Sequence, residues 1–452
     1  MKRENRKELM KIPSLILQII QKFENNGFEC YVVGGSVRDS LLHREISDFD
    51  LCTNALPQQT IALFDHTIPT GIKHGTVTIV MDEQLVEVTT FRKESRYTDH
   101  RHPDHVCFVK DLHSDLARRD LTINAIAYSP KLGYIDPFCG MEDLKKKIVK
   151  TVGDPEKRFE EDALRMVRAH RFAAVLGFSM DESTQKAIEK KADLIQFVAI
   201  ERLVGEWMKI LEADPYEIKK MLLLFRPWLP ELIAASYCGQ NSLYHDKNVL
   251  DHTLEAITYV KPFDKLCALA LLLHDLGKPY VLTTGKDGRD HFKGHPKVSY
   301  EIALRVCKEW KLSNEFKNTV PDLVLYHDEI ETPTLSWLYK FCIQLRFDKE
   351  KMHRLFMVQY GDIMAHSKKG RQRLEILNEM IDFYEKESVN RPMKFSDLAL
   401  DGKEIAKIAN VAGPDIGRVL EHLLKHTFYH PEKNTKEELT SYLKKGMKKW
   451  NY

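Results

Sequence analysis

The chain has 452 residues, too many for one ordinary core; at roughly 100–200 residues per domain it holds about three. Hydrophobic residues are 43% and charged residues 30%, which excludes a disordered chain. Lys plus Arg is 68 against Asp plus Glu at 66, a net charge of +2. That balance excludes a uniformly basic nucleic-acid coat and an acidic tail protein, yet leaves room for a basic groove.

The eight cysteines, Cys30, Cys52, Cys107, Cys139, Cys238, Cys267, Cys307 and Cys342, form no C-x-x-C pair. The expectation is buried free thiols in a reducing cytosol. The longest purely apolar stretch, Leu266–Leu273, is far short of a membrane span, so no membrane partner is expected. The N-terminus is basic and then apolar, but Gln18, Gln21 and Lys22 interrupt the run. An amphipathic first helix fits better than a signal peptide.

In chain order, Glu29–Val33 predicts a strand running into Gly34-Gly35, and Val37–Leu42 predicts a helix start. Ile46–Cys52, Thr76–Val80 and Leu85–Phe91 have the alternation or β-branched runs of strands. From about Asp154 the pattern turns helical, with Ala163, Leu164, Val167, Phe172 and Leu176 at helical spacing. Pro227, Pro230, Gly239 and Asn241 mark a boundary, and the polar break Lys386–Phe395 marks another. The expected domains are 1–150, 151–240, 241–385 and 386–452.

Val32-Val33-Gly34-Gly35-Ser36-Val37-Arg38-Asp39 predicts a strand, a glycine turn and a helix. Glycines let backbone N–H groups approach a phosphate, Ser36 can donate to it, and Arg38 can pair with it bidentately. About ten residues on, Asp48-Phe49-Asp50 lies in an apolar run read as a strand. Residues i and i+2 of a strand share a face, so both carboxylates project together and repel unless a cation lies between them. Their hard oxygens suit Mg²⁺. Glu87 alternates with apolar neighbours on an adjacent strand, either as a third metal-facing carboxylate or as an exposed edge.

These residues carry a resemblance. Gly34-Gly35-Ser36-Val37-Arg38-Asp39 with Leu41-Leu42, Asp48-Phe49-Asp50, Arg118-Arg119-Asp120-Leu121-Thr122-Ile123-Asn124-Ala125 and Glu161-Asp162-Ala163-Leu164-Arg165 occur in order over about 150 residues. Together they resemble the class II tRNA nucleotidyltransferase and bacterial poly(A) polymerase family of the DNA polymerase beta superfamily. His43 departs from it, standing where the family often has glycine. The resemblance implies an α+β fold: a small mixed-sheet nucleotidyltransferase head followed by all-helical neck, HD and tail modules.

It also implies roles. Asp48 and Asp50 would hold Mg²⁺ and, with Glu87, form the catalytic group. Gly34, Gly35, Ser36, Arg38, Arg119, Asp120, Asn124, Asp162, Arg165 and Arg168 would bind the nucleotide. Arg118 and Arg119 can neutralise phosphate, and Asp120 and Asn124 can bond a ribose hydroxyl. Asp162 and Arg165, read as i and i+3 on one helix face, would read the base edge of CTP or ATP. The polar stretch Arg92–His105 reads as a solvated loop; in the family a flexible loop there helps the site change from CTP to ATP.

The second half holds His252, His274-Asp275-Leu276-Gly277-Lys278-Pro279, His295, His327-Asp328 and Asp362. This order resembles the HD phosphohydrolase superfamily, with His252, His274, Asp275 and Asp362 matching its core metal ligands. Imidazole with carboxylate suits a divalent metal that activates water on a phosphate ester; its identity is open. His295 and His327 can hold a second metal or contact phosphate. Leu398–Leu439 resembles the tRNA-holding tail of these transferases, with basic clusters at Lys368, Lys369, Arg371, Arg373 and at Lys444, Lys445, Lys448, Lys449.

The expected activity is a cytoplasmic, metal-dependent enzyme adding C, C and A to tRNA from CTP and ATP, with an accessory phosphohydrolase site and no obligate protein partner evident. The rivals are an A-adding or CC-adding enzyme, a poly(A) polymerase, or chiefly an HD phosphohydrolase.

Overall fold

The computed structural model describes residues 9–95 and 105–446. They fall into two compact units, divided between Leu229 and Pro230.

The first unit opens on α1 (Ser14–Asn25), which buries Leu15, Ile16, Ile19, Ile20 and Phe23. That spacing is one stripe of a helix, as the amphipathic reading expects. Strand β1 (Cys30–Val33) is buried throughout and runs through Gly34 into α2 (Gly35–Leu41). Then come β2 (Leu51–Thr53), α3 (Pro57–Leu63), β3 (Thr67–Gly71), β4 (Thr76–Met81), β5 (Gln84–Thr90), β6 (Arg92–Ser95) and β7 (His105–Phe108). Helix α4 (Leu112–Ala117), β8 (Ala127–Ser129), β9 (Gly133–Ile135) and α5 (Gly140–Lys146) complete the head.

Seven strands form one mixed sheet in the order β3-β4-β5-β2-β1-β8-β9. The β2–β5 pair is parallel, whereas β1–β2, β4–β5 and β1–β8 are antiparallel. Tyr31, Val33, Cys52, Phe91, Leu116, Ala125, Ala127 and Val152 build a core against it.

Two expectations need correction here. The strand expected over Ile46–Cys52 is only Leu51–Thr53, and residues 44–50 approach it without ladder pairing of their own. Val33 N still donates to the Asp50 carbonyl at 3.0 Å, so the acidic segment is tied to β1 at one point. The Arg92–His105 loop is flanked by strands, because β6 and β7 pair antiparallel from Arg92–Phe108 to Ser95–His105. Its middle, 96–104, lies outside the described residues. His43 takes φ 54°, the left-handed conformation that explains why glycine suits that position.

The neck begins where Asp154 accepts from the amides of Glu156 and Lys157 and Pro155 opens α6 (Pro155–Glu161). Helix α7 (Leu164–Leu176) follows, then α8 (Glu182–Lys191) and α9 (Ile200–Ala213), with α7 packed along α9.

The second unit is helical apart from one two-residue strand pair, among the described residues. At its centre the helix Lys265–His274 is buried from Leu266 to His274. It is apolar on all sides because four helices surround it: Val249–Thr258, His295–Glu309, Asn314–Tyr326 and Lys349–Ala365. The C-terminal helices Gly402–Ala409, Pro414–Tyr429 and Lys436–Gly446 close on Leu400, Ile405, Val419, Leu423, Leu439 and Leu443. Lys448 and Lys449 lie outside the described residues. Among the described residues no helix is long and apolar enough to cross a membrane. Six of the eight cysteines are buried and all are free; Cys107 and Cys139 are exposed.

Candidate functional site

In the head, β2 and β5 pair in parallel from Leu51–Val88, and Asp50 and Glu87 immediately precede that pair, near enough for the Glu87 charge to act on Asp50. Leu51 and Val88 are buried, so the pleat turns Asp50 and Glu87 to the opposite face, where both are exposed. Asp48, also exposed, accepts from Ser47 Oγ at 2.9 Å. Burial raises the Asp50 carboxyl above its ordinary range; Glu87 adds to this, Arg119 opposes it, and Asp48 adds again. Because Asp50 is open to solvent, the charges of Glu87 and Asp48 are the part that a bound cation would reverse. These oxygens fit a hard cation.

The glycine turn lies at the end of the neighbouring strand. Gly34 has φ 79°, and a Cβ there would come to 3.3 Å from Arg119 Nη1. Ser36 is buried and gives its hydroxyl to Val33 O at 3.4 Å. Arg38 forks onto Asp39 (3.0 and 2.7 Å) and donates Nη1 to Asn124 Oδ1 at 2.7 Å. Asn124 Nδ2 donates to Asp120 Oδ1 at 3.3 Å, and Arg168 donates to Asp120 Oδ2 at 2.7 Å. Expected nucleotide contacts from three elements thus form one chain, Arg38–Asn124–Asp120–Arg168. Burial works to raise Asp120, but the Arg168 charge and hydrogen bond, then Arg165, outweigh it and hold the carboxyl far below normal.

Arg118 and Arg119 both reach the buried Asp115, at 2.8 and 3.3 Å. Arg119 Nε is buried without a hydrogen-bond partner. Asp162 and Arg165 are not on one helix. The chain breaks at Asp162 (φ −142°, ψ 105°) between α6 and α7, where its carboxylate accepts from Leu164 N at 3.1 Å. A short polar side chain that caps a new helix competes with the old one, which is why the i, i+3 reading failed. Arg165 gives Nη1 to Glu161 at 2.8 Å and Nη2 to Arg118 O at 3.1 Å. Sequence reasoning missed Arg202, which forks onto Asp162 at 2.9 and 3.4 Å from 40 residues away. Its only signature is an arginine in the first turn of an amphipathic helix.

In the second unit the expected ligands converge. Gly361 lets the helix Lys349–Ala365 close on its neighbour, because a Cβ would meet Ala256 O at 2.8 Å. Asp362 Oδ1 then lies 2.8 Å from His252 Nε2 and 3.4 Å from His274 Nε2. Asp275 Oδ2 is 3.3 Å from His274 Nε2, and Asp275 Oδ1 is 3.2 Å from His295 and 3.8 Å from His327. All six residues are buried. Nδ1 of His274, His295 and His327 faces the carbonyls of Leu271, Phe292 and Val324 at 2.6, 3.0 and 2.7 Å. Each carbonyl can only accept, so it fixes an N–H at Nδ1 and leaves Nε2 as the nitrogen that faces the carboxylates. Burial would raise both Asp275 and Asp362. The His274 and Lys278 charges hold Asp275, and His366 and His252 hold Asp362, well below the usual range.

Lys278 donates to Asp275 Oδ2 at 2.6 Å and to Gln240 Oε1 at 2.8 Å. A cavity of about 580 Å³ opens on this centre, lined by His245, Asp275, Lys278, Lys293, His327 and Arg373 among others. His245 and His366 were missed in the sequence. Lone histidines carry no spacing signal, and His245 reaches the centre from a loop.

An exposed carboxylate group beside a glycine turn, followed by helices and a buried cluster of four histidines and two aspartates, fits a nucleotidyltransferase joined to an HD module. Residues 30–150 match the poly A polymerase head domain, 177–235 the probable RNA and SrmB-binding site of polymerase A, and 243–358 the HD domain. The CCA-adding enzyme of Lactococcus lactis subsp. cremoris is 32% identical over 453 residues, covering 97% of this chain and 98% of that protein. The CCA-adding enzyme of Anoxybacillus flavithermus is 49% identical over 220 residues, 48% of this chain and 55% of its own length. The Bacillus stearothermophilus CCA-adding enzyme, solved in complex with CTP, superposes with a TM-score of 0.66 at 27% identity, covering 96% of this chain and 97% of that one. The chain belongs to the CCA-adding enzyme family. Head and HD domains of these kinds are metal-dependent.

Proposed function

We propose that the protein adds C, C and A in turn to the 3′ end of tRNA, taking CTP and ATP without a nucleic-acid template. The observation that carries this reading is that Asp50, just ahead of β2, lies within reach of the Glu87 charge on β5, next to the Gly34 turn. We assign Asp48 and Asp50 to Mg²⁺, with Glu87 shaping the same acidic group; the cation would supply positive charge to the triphosphate and to the attacking 3′ hydroxyl. Gly34 and Gly35 let the backbone approach the triphosphate. Ser36 supports the turn from behind, through Val33 O. Arg38, Arg119 and Arg168 supply charge, and Asp120 with Asn124 holds Arg168 and Arg38 in register and faces the ribose. Asp162 and Arg165 read the base edge: a carboxylate accepts from an exocyclic amino group and a guanidinium donates to ring acceptors, which suits C and A. The domain division that accompanies this is head 1–150, neck 151–240, HD 241–385 and tail 386–452.

The test supplies tRNAs ending at the discriminator base, after one C, after two Cs, or complete, with labelled CTP or ATP separately. CTP should enter only the first two and ATP only the third. Extension of unrelated RNA with ATP, or one nucleotide entering alone, would replace this reading with a poly(A) polymerase or a partial-specificity enzyme.

The buried centre around Asp275 favours a second activity, hydrolysis of phosphate esters by metal-activated water. His252, His274, Asp275 and Asp362 would hold the ion, with His295 and His327 beside them, and Lys278 would orient Asp275. Phosphoester hydrolysis that appears with added divalent metal and vanishes in His274→Ala is the expected result.

A further inference from the structure

Three of the imidazoles at the HD centre spend one nitrogen on a backbone carbonyl and turn the other inward, but His252 does not. Its Nε2 is engaged by Asp362 at 2.8 Å, and its Nδ1 is buried with no hydrogen-bond partner. Nδ1 of His366 is in the same state. Buried imidazole nitrogens are almost always partnered, and the second nitrogen of a metal-binding histidine especially so. The two orphans belong to neighbouring rings. His252 and His366 lie 5.0 Å apart between centroids, and His245 lies 5.0 Å from the first and 4.5 Å from the second. One ligand nitrogen from each of the three falls within 4.8 Å of the other two.

His245 has a nitrogen to offer. Its Nδ1 is paired with Ser242 Oγ at 3.1 Å, leaving Nε2, which stands 3.5 Å from Lys278 Nζ. That distance is beyond an ordinary hydrogen bond, and the ammonium is already held by Asp275 and Gln240. Three imidazoles without a carboxylate are a nitrogen-only donor set, which suits a zinc-class ion and not a hard one.

We propose that His245, His366 and the second nitrogen of His252 hold a further transition-metal ion of the zinc class, with His252 bridging it to the six-ligand centre. Ligation at both nitrogens requires His252 to release its remaining N–H proton to solvent, so occupancy of this subsite liberates a proton. The nearby Lys278 charge makes it the weakest of the metal positions. The inference rests on the HD reading through the shared His252.

The experiment strips the full chain with chelator and titrates it with Zn²⁺ and with Co²⁺. Bound equivalents are counted by elemental analysis and the Co²⁺ visible bands are followed. His245→Gln/His366→Gln is compared with His274→Ala, and far-UV circular dichroism establishes folding. The expected result is one equivalent fewer in the double variant, the last to bind in the parent, with the tighter equivalents kept. Equal stoichiometry in parent and double variant overturns the subsite, and if His274→Ala still loses metal the HD reading survives it. Loss of every HD equivalent in the double variant also overturns it, making these histidines core ligands. If the double variant does not fold, His245→Gln alone carries the same comparison, since His245 lies in a loop.

Discussion

The head and the HD module both gather carboxylates, and they leave them in opposite states. In the head, Asp48, Asp50 and Glu87 stand exposed at the sheet with no histidine among them, and burial, then the charge of Glu87, raises Asp50. In the HD module Asp275 and Asp362 are buried among imidazoles and held far below the usual range. On the proposed reading the first arrangement would be completed by a hard cation arriving with substrate phosphates, as Mg²⁺ with its few protein ligands does. The second is built before any ligand arrives, its tautomers set by three carbonyls. On the proposed reading the first site would trade its cation with each turnover, and the second would keep its ion.

The sharpest way to break that contrast is at Asp50. Asp50→Ala should lower CTP and ATP incorporation on the order of 1,000-fold or more while tRNA binding changes little, measured by single-turnover kinetics and filter binding. Retained turnover would remove Asp50 from the catalytic group. Next in size is Arg202→Ala, which frees Asp162 from its fork. We expect KM for both nucleotides to rise about 10- to 100-fold and misincorporation of UTP to increase, with kcat less affected. A stability loss without that KM change would mean that Arg202 only braces the neck.

How far the sequence reveals these regions depends on the range of the interactions involved. The head was legible because Gly34, Asp48 and Asp50 lie within seventeen residues of one another and strand parity is a local property. Ladder length was not: β2 starts only at Leu51, because pairing with β1 and β5 decides it, and Asp48 and Asp50 lie in the approach without a strand. The HD cluster was legible through the string His274-Asp275-Leu276-Gly277-Lys278. Arg202, His245 and His366 were not, since each acts on a partner that only tertiary packing brings near. The helix break at Asp162 was hidden for a different reason: apolar spacing ran on through it, and the competing bond from Leu164 N leaves no periodic trace.

Metal removal should separate the two regions by stability. An ion present at about a hundred times its Kd adds about 2.7 kcal/mol to the folded state. Chelation should therefore lower the unfolding midpoint of the second unit and leave the first nearly unchanged, followed by hydrogen exchange at Leu269–Leu272 against Val32–Val33. Equal loss in both units would deny the HD centre its permanent ion.

The smallest effect tests the electrostatics of the head directly. Asp50 is raised in the folded enzyme, so its carboxylate is lost to protonation at a higher pH than usual and activity should fall on the acid side. Glu87→Gln removes a negative neighbour and favours the ionised form, so the acid limb of the surviving rate should move to lower pH. Arg119→Gln removes the opposing positive charge, so the limb should move to higher pH. Each shift should be on the order of half a pH unit and shrink with salt, because the site is open. Saturating Mg²⁺ should collapse the difference between the two variants, since a bound cation screens Asp50 from both neighbours. A limb that moves the same way in both variants would mean that desolvation, not the charges of Glu87 and Arg119, governs Asp50, and the head would then resemble the HD module more than its exposed carboxylates suggest.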